Sequence, residues 1–225
     1  AAVRLFAQVA YAIDGAPECP DGEHAFASGC RRVGSPCPDD GWPADLPSDR
    51  PVIYVSSTGG GFDAAGTRDD PLVSVPLAVS RVPAGGVVAL ATGVHWFSQV
   101  VIRNGVELRG ACPESTRLAS SFGEPDRVLV AMEGRASLRD VTVASSGVPI
   151  VAAGVAGTDV RVSDVVVEGG AGAGVMAGGG ARAAIERVVV RGVRPLAAWG
   201  GASHAIYAEG AAVIELEDVL VEQSI

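Results

Sequence analysis

The hexapeptide Leu138-Arg-Asp-Val-Thr-Val143 decides the fold, because it returns three times. It recurs as VSDVVV over Val162–Val167, IERVVV over Ile185–Val190 and LEDVLV over Leu216–Val221, at steps of 24, 23 and 31 residues. Self-similarity at about two dozen residues is the mark of a solenoid. Each copy is short, β-branched and bounded by glycine, so the repeating unit is built of strands rather than helix pairs. One coil can be written out from the copy ending at Val167. Residues 149–153 form a first strand and Val160–Val162 a second. Asp164 turns a tight corner, Val165–Val167 form the third strand, and the glycine-rich residues 168–174 return the chain. Stacked about 4.8 Å apart, four to five such coils make a rod of roughly 25 Å.

The corner recurs in register at Asp140, Asp164, Arg187 and Asp218, with Asn104 as an earlier member. Stacked carboxylates repel, and Arg187 between Asp164 and Asp218 relieves that. The column reads as a turn ladder rather than a catalytic pair, since it returns in every coil and an active site need not. Along the third strand, alternation puts Val141, Val143, Val165, Val167, Val188 and Val190 inward, leaving Thr142, Val166, Val189 and Leu220 outward. That outward column is largely apolar. Either a partner or a second copy covers it, or residues 1–50 fold back over it. The sequence stops directly after the strand at Val221, which predicts that a continuation or another chain covers that edge.

Composition agrees. The 225 residues are 48% hydrophobic but 5% aromatic, with 30 glycines, so the core must be aliphatic. The net charge is −9, and every basic residue is arginine. No basic patch is visible along the chain, which argues against nucleic acid. No apolar run is long enough to span a bilayer. Cys19, Cys30, Cys37 and Cys112 are even in number, and three fall in one Pro/Gly/Asp-rich stretch. They predict disulfides and an oxidising compartment, outside the cell, at its surface or in a periplasm, with three pairings open. Their spacing does not fit zinc knuckles. Residues 1–50 read as a disulfide-pinned cap or stalk with a short helix or strand near Val3–Ile13. Residues 51–225 read as the solenoid: an opening strand and helix over 51–86, then coils over 87–225. Ser74 is the predicted N-cap of that helix, Pro76 sits in its first turn, and residues 83–86 stop it.

Residues 53–97, IYVSSTGGGFDAAGTRDDPLVSVPLAVSRVPAGGVVALATGVHWF, resemble the opening module of right-handed parallel β-helix proteins of the pectin-lyase-like family. The matching positions are Tyr54, Val55, Gly61, Asp63, Gly66, Thr67, Pro71, Ser74, Ala78, Gly86, Leu90 and Gly93. The pattern departs where His95 or Trp96 stands for a tyrosine. The resemblance covers about 51–225 and implies an all-β, right-handed, single-stranded parallel β-helix with a short N-terminal capping helix. It says little about chemistry, because one fold hosts many functions.

Members that cleave acidic polysaccharides work from one sheet and its flanking loops, with clustered carboxylates, calcium and a basic residue. The equivalent strands here, VLVAME, PIVAAG, GVMAGG and AIYAEG, offer only Glu133, Tyr207 and Glu209. Two return loops over 109–127 and 192–204 are predicted to project near one edge. Arg194, Trp199, His204 and Tyr207 are the candidate ligand-binding residues there. Glu133, Glu209, Asp126 and His204 are the weaker catalytic candidates. No cofactor is required; calcium at Asp63, Asp69 and Asp70 is the one ion the opening turn suggests, although Asp63 reads first as the cap of that turn. The first functional reading is a non-catalytic, secreted or cell-surface β-helix that binds a glycan or a surface protein through those loops. A polysaccharide lyase or glycoside hydrolase is the alternative, and a structural segment of a larger surface protein the third.

Overall fold

The computed structural model describes residues 6–11 (backbone only), 18–120, 127–152, 157–197 and 200–222. In chain order the strands begin with β1 (Phe6–Tyr11), β2 (Glu23–Phe26), β3 (Gly29–Arg32) and β4 (Val52–Val55). The single described helix, α1 (Val75–Arg81), follows. Its N-cap is Ser74, whose Oγ accepts from Leu77 N, Pro76 lies in its first turn, and Val75 and Ala78 are its buried side.

The coils then begin. The first is β5 (Val87–Leu90), β6 (Gly93–Phe97) and β7 (Val100–Ile102); the second is β8 (Val106–Gly110), β9 (Thr116–Ser120) and β10 (Val128–Met132). From there the second and third strands merge across the corner. The pairs are β11 (Arg135–Ser145) with β12 (Val148–Ala152), β13 (Asp159–Gly169) with β14 (Ala173–Ala177), and β15 (Arg182–Arg191) with β16 (His204–Ala208). The last strand is β17 (Val213–Glu222). All coil pairings are parallel. The first face is the five-stranded sheet β7-β10-β12-β14-β16. The second and third faces lie before and after the corner of the larger sheet.

Register follows the hexapeptide to the residue. Leu138 pairs Val162, Val162 pairs Ile185, and Ile185 pairs Leu216. Because the steps are held by main-chain ladders, inward side chains pile into columns such as Leu108–Leu138–Val162–Ile185–Leu216. The core is aliphatic, with Leu90, Ile102, Leu118, Leu129, Met132 and Ile150 fully buried. Each corner residue takes a left-handed backbone: Asn104 φ 60°, Asp140 φ 56°, Asp164 φ 58°, Arg187 φ 50° and Asp218 φ 48°. Asn and Asp tolerate that region because their short polar groups bond locally; arginine does not do so readily.

Residues 18–50 are a strap laid along the third face, not a detached stalk. The β2–β3 hairpin and the residue after it place Phe26 and Val33 on Val166, Val189 and Leu220, all buried. The outward apolar column is thus covered by the chain itself. The edge of β17 is also taken: β1 pairs with it in parallel, from Phe6 opposite Glu215 to Tyr11 opposite Val221. The expectation that a continuation or a second chain covers that edge is corrected accordingly. The strand at Phe6–Tyr11 resolves the helix-or-strand alternative for Val3–Ile13.

Candidate functional site

The strap is fastened to the corner ladder. Ser28 Oγ donates to Asp218 Oδ1 at 2.5 Å, Arg31 lies 3.6 Å from Asp218, and Ser35 N donates to Asp140 Oδ1 at 2.9 Å. Arg187 instead grips Asp164, so the ladder carboxylates find separate cationic or N–H partners. The expected relief by Arg187 reaches Asp164, while Asp218 is served by the strap. Two disulfides, Cys19–Cys30 and Cys37–Cys112, pin the hairpin and tie the strap to the turn after β8. Among the described residues, the one gathering of three metal-type ligands is Cys37, Cys112 and Glu114, and both sulfurs are committed to a disulfide.

A groove of about 880 Å³ crosses the outer second face. Arg50, Asn104, Arg135, Asp159, Arg161 and Arg182 are among the groups that line it. It crosses from Gly85, just before β5, to β17, five rungs or about 24 Å at strand spacing. The parallel register sets its charges in rows: Arg135, Asp159 and Arg182 are neighbours in one row, and Ser137, Arg161, Ala184 and Glu215 in the next. Arg182 is 3.5 Å from Glu215. Arg50 closes one end, donating to Gly85 O at 2.6 Å and to the buried Glu107 at 2.7 Å. Among the described residues no hydrogen bond or ion pair engages the side chains of Arg135, Arg161 or Asp159. Two free guanidinium forks therefore face solvent in a concave site on an acidic protein.

The linear reading missed this groove because its arginines lie in different coils. The signal was present: counted back from the corner, Arg135, Asp159 and Arg182 share one offset, and Ser137, Arg161, Ala184 and Glu215 another.

The predicted residues distribute otherwise. His204 and Tyr207 meet at the start of β16, rings stacked 5.2 Å apart. Arg194 is exposed in the turn before them. Trp199 and Asp126 lie outside the described residues. Glu209 sits in the same outward row as Glu133, its carboxylate folded over Gly178, where an added Cβ would stand 3.2 Å from Oε1. Glu133 and Glu209 are three coils apart, about 14 Å at strand spacing, too far to flank one bond. Glu133 instead faces Arg103 at 4.0 Å. Two residues back along these strands, the neighbouring outward row of the first face is Ala131, Val151, Met176 and Tyr207. Residues 109–127 do not form one projecting loop: 116–120 are strand β9 of the third face. In the opening turn the bonds belong to Asp70, which accepts from Ala65 N at 2.8 Å, and not to Asp63. Asp63, Asp69 and Asp70 do not gather within 4.8 Å of one another.

Three pKa shifts follow from burial and pairing. At Glu168 burial pushes the carboxyl up, but hydrogen bonds from Arg191 and Arg117 outweigh it and hold it below the usual range. The Arg187 guanidinium is raised, chiefly by its bond to Asp164. Burial lowers His95, partly offset by its bond to Ala91 O.

No protein-family model and no curated protein matches this chain. Two solved structures do. Pectin methylesterase PemA from Erwinia chrysanthemi matches over 74% of this chain and 54% of its own, with a TM-score of 0.53 and 14% identity. A pectin methylesterase mutant in complex with a hexasaccharide matches over 76% of this chain and 66% of its own, with a TM-score of 0.43 and 11% identity. The protein is a right-handed parallel β-helix. At these identities the likeness is one of fold alone, and the chain spans about half the length of PemA. No described helix of this β-helix is long and apolar enough to cross a membrane.

Proposed function

We propose that this β-helix binds an acidic polysaccharide, of the uronate-bearing kind, along the second-face groove. The observation that carries the reading is the pair Arg135 and Arg161, unpaired and exposed on neighbouring rungs of a rigid sheet. A guanidinium fork matches a carboxylate in two parallel bonds, and a sheet holds such forks at a fixed repeat. Asp159 beside them supplies an acceptor for sugar hydroxyls. The two disulfides support a secreted or surface location. The fold neighbours are named for action on pectin, which supports a carbohydrate ligand.

The test compares polygalacturonate with its fully methyl-esterified form by titration calorimetry. The free acid is expected to bind at least about tenfold more tightly, and Arg135→Ala with Arg161→Ala to lose that margin, about 1.4 kcal/mol. Equal binding of both polymers, or an unaffected double variant, refutes it.

A second reading, catalysis on such a polymer, is supported by the stacked His204 and Tyr207 on the first face. Prolonged incubation with both polymers, read for released methanol, new reducing ends and unsaturated products, tests it. If none forms, that reading fails.

A further inference from the structure

The strap and the column it covers form a complementary pair carried by every copy of the chain. Phe26 and Val33 fill the surface made by Val166, Val189 and Leu220. Ser28 and Arg31 meet Asp218, and His24 meets Glu222 at 3.3 Å. Between Val33 and β4 the chain has no regular structure, and over residues 38–50 only Pro43 is buried. Thirteen residues reach about 45 Å when extended, longer than the rod itself. The covalent tie of the strap to its own coils is the bond from Cys37 to Cys112. The segment after it is held by non-covalent contacts: Thr92 N to Gly41 O at 2.8 Å, Arg68 to Asp40 at 2.5 Å, Arg109 to Asp45 O at 3.0 Å and Arg50 to Glu107 at 2.7 Å. Cys37 is exposed and open to attack; Cys112 is buried.

We propose that the Cys37–Cys112 disulfide is a latch, and that opening it lets two copies exchange straps into a closed, two-fold dimer. The occupant of the third face is then the hairpin of the second copy. Its chemistry is already known to fit, because the copy's own hairpin sits there now. Exchange carries β1 with the hairpin onto the second copy and re-lays the segment over 38–50, and a reciprocal swap re-forms the hairpin and β1 contacts on both copies. The opening step is thiol–disulfide exchange with a dithiol. One thiolate attacks the Cys37 sulfur, Cys112 leaves as thiolate and takes up a proton, and the second thiol of the reductant displaces Cys37 as it closes its own disulfide. The protein is reduced by two electrons and the dithiol is oxidised by two.

The test uses isotopically light and heavy full-length protein. The two are mixed at high concentration, treated with dithiothreitol, freed of it, then reoxidised with oxidised glutathione, which takes up the two electrons. Expected are a dimer by light scattering and peptides in which light Cys37 is bonded to heavy Cys112. Phe26→Glu should reduce the dimer at least tenfold, and Val33→Asp should do the same where Phe26→Glu fails to fold. Four results overturn the proposal: Cys37–Cys112 links only within one isotope, Cys37–Cys37 links in place of mixed Cys37–Cys112, loss of the β-sheet circular dichroism on reduction, or a dimer indifferent to both variants.

Discussion

Arg187 holds Asp164 of the preceding coil through two parallel hydrogen bonds, Nε to Oδ1 at 2.6 Å and an Nη to Oδ2 at 2.9 Å. It does so from a backbone conformation that arginine rarely adopts, at φ 50°. The local cost of that conformation is offset by partnering the carboxylate of Asp164, a residue 5% exposed with Arg187 in place. Arg187→Ala keeps the unfavourable φ and strands Asp164. We expect a loss of about 3 kcal/mol, the scale for breaking a buried pair. Arg187→Asn, at ease in the left-handed region, should lose less. Urea midpoints of the two variants check the order; equal losses refute it.

Asp218 anchors the strap hairpin through Ser28 and Arg31. Asp218→Gly keeps the corner conformation and removes both contacts. Trypsin cleavage after Arg31 or Arg32 should then accelerate about tenfold, equivalent to about 1.4 kcal/mol of easier opening. An unchanged rate would place the anchor elsewhere, in the apolar contact of Phe26 and Val33.

Glu168 is held below the ordinary carboxylate range in the folded state by Arg191 and Arg117, against burial. A depressed acid lends stability above its unfolded pKa and loses it as pH falls through the folded value. The wild type should therefore lose stability through the acid range below that of a free glutamate. Glu168→Gln should show a shallower acid limb and lower stability at neutral pH. Denaturation midpoints from pH 7 to pH 2 read the difference, and parallel curves would exclude Glu168 as a contributor.

His95 works in the other direction of charge. It is 2% exposed, and burial lowers its pKa. The unfolded chain then takes up a proton first, so stability declines as pH drops below about 6.5, the free-histidine value. His95→Leu should flatten that decline between pH 7 and the folded pKa. A variant with the same slope would show that His95 does not titrate there.

Salt should weaken polysaccharide binding in the groove, because the forks of Arg135 and Arg161 face solvent. Arg182→Ala should cost less than Arg161→Ala, since Arg182 already has Glu215 beside it. Binding that is insensitive to salt between 50 and 500 mM, over which the screening length falls from about 14 Å to about 4 Å, would argue for uncharged contacts.

Period, register and corner were legible in the sequence because each is a local pattern repeated. The steps from Leu138 to Val162, Ile185 and Leu216 are the steps of the ladder. The outward column was legible too, as an apolar surface needing cover. The groove was not, since Arg135 and Arg161 become neighbours only once coils are stacked, and a chain read end to end shows isolated arginines. The strap's course was equally hidden. Contacts such as His24 with Glu222 span 198 residues, and no local propensity encodes them.

That span bears on how the protein is made. The hairpin leaves the ribosome before its seat on β17 has been synthesised. Cys19 and Cys30 can close early, being 11 residues apart, whereas Cys37 must wait for Cys112, 75 residues on. Strap docking therefore waits for β17, and reports that this strand is in place.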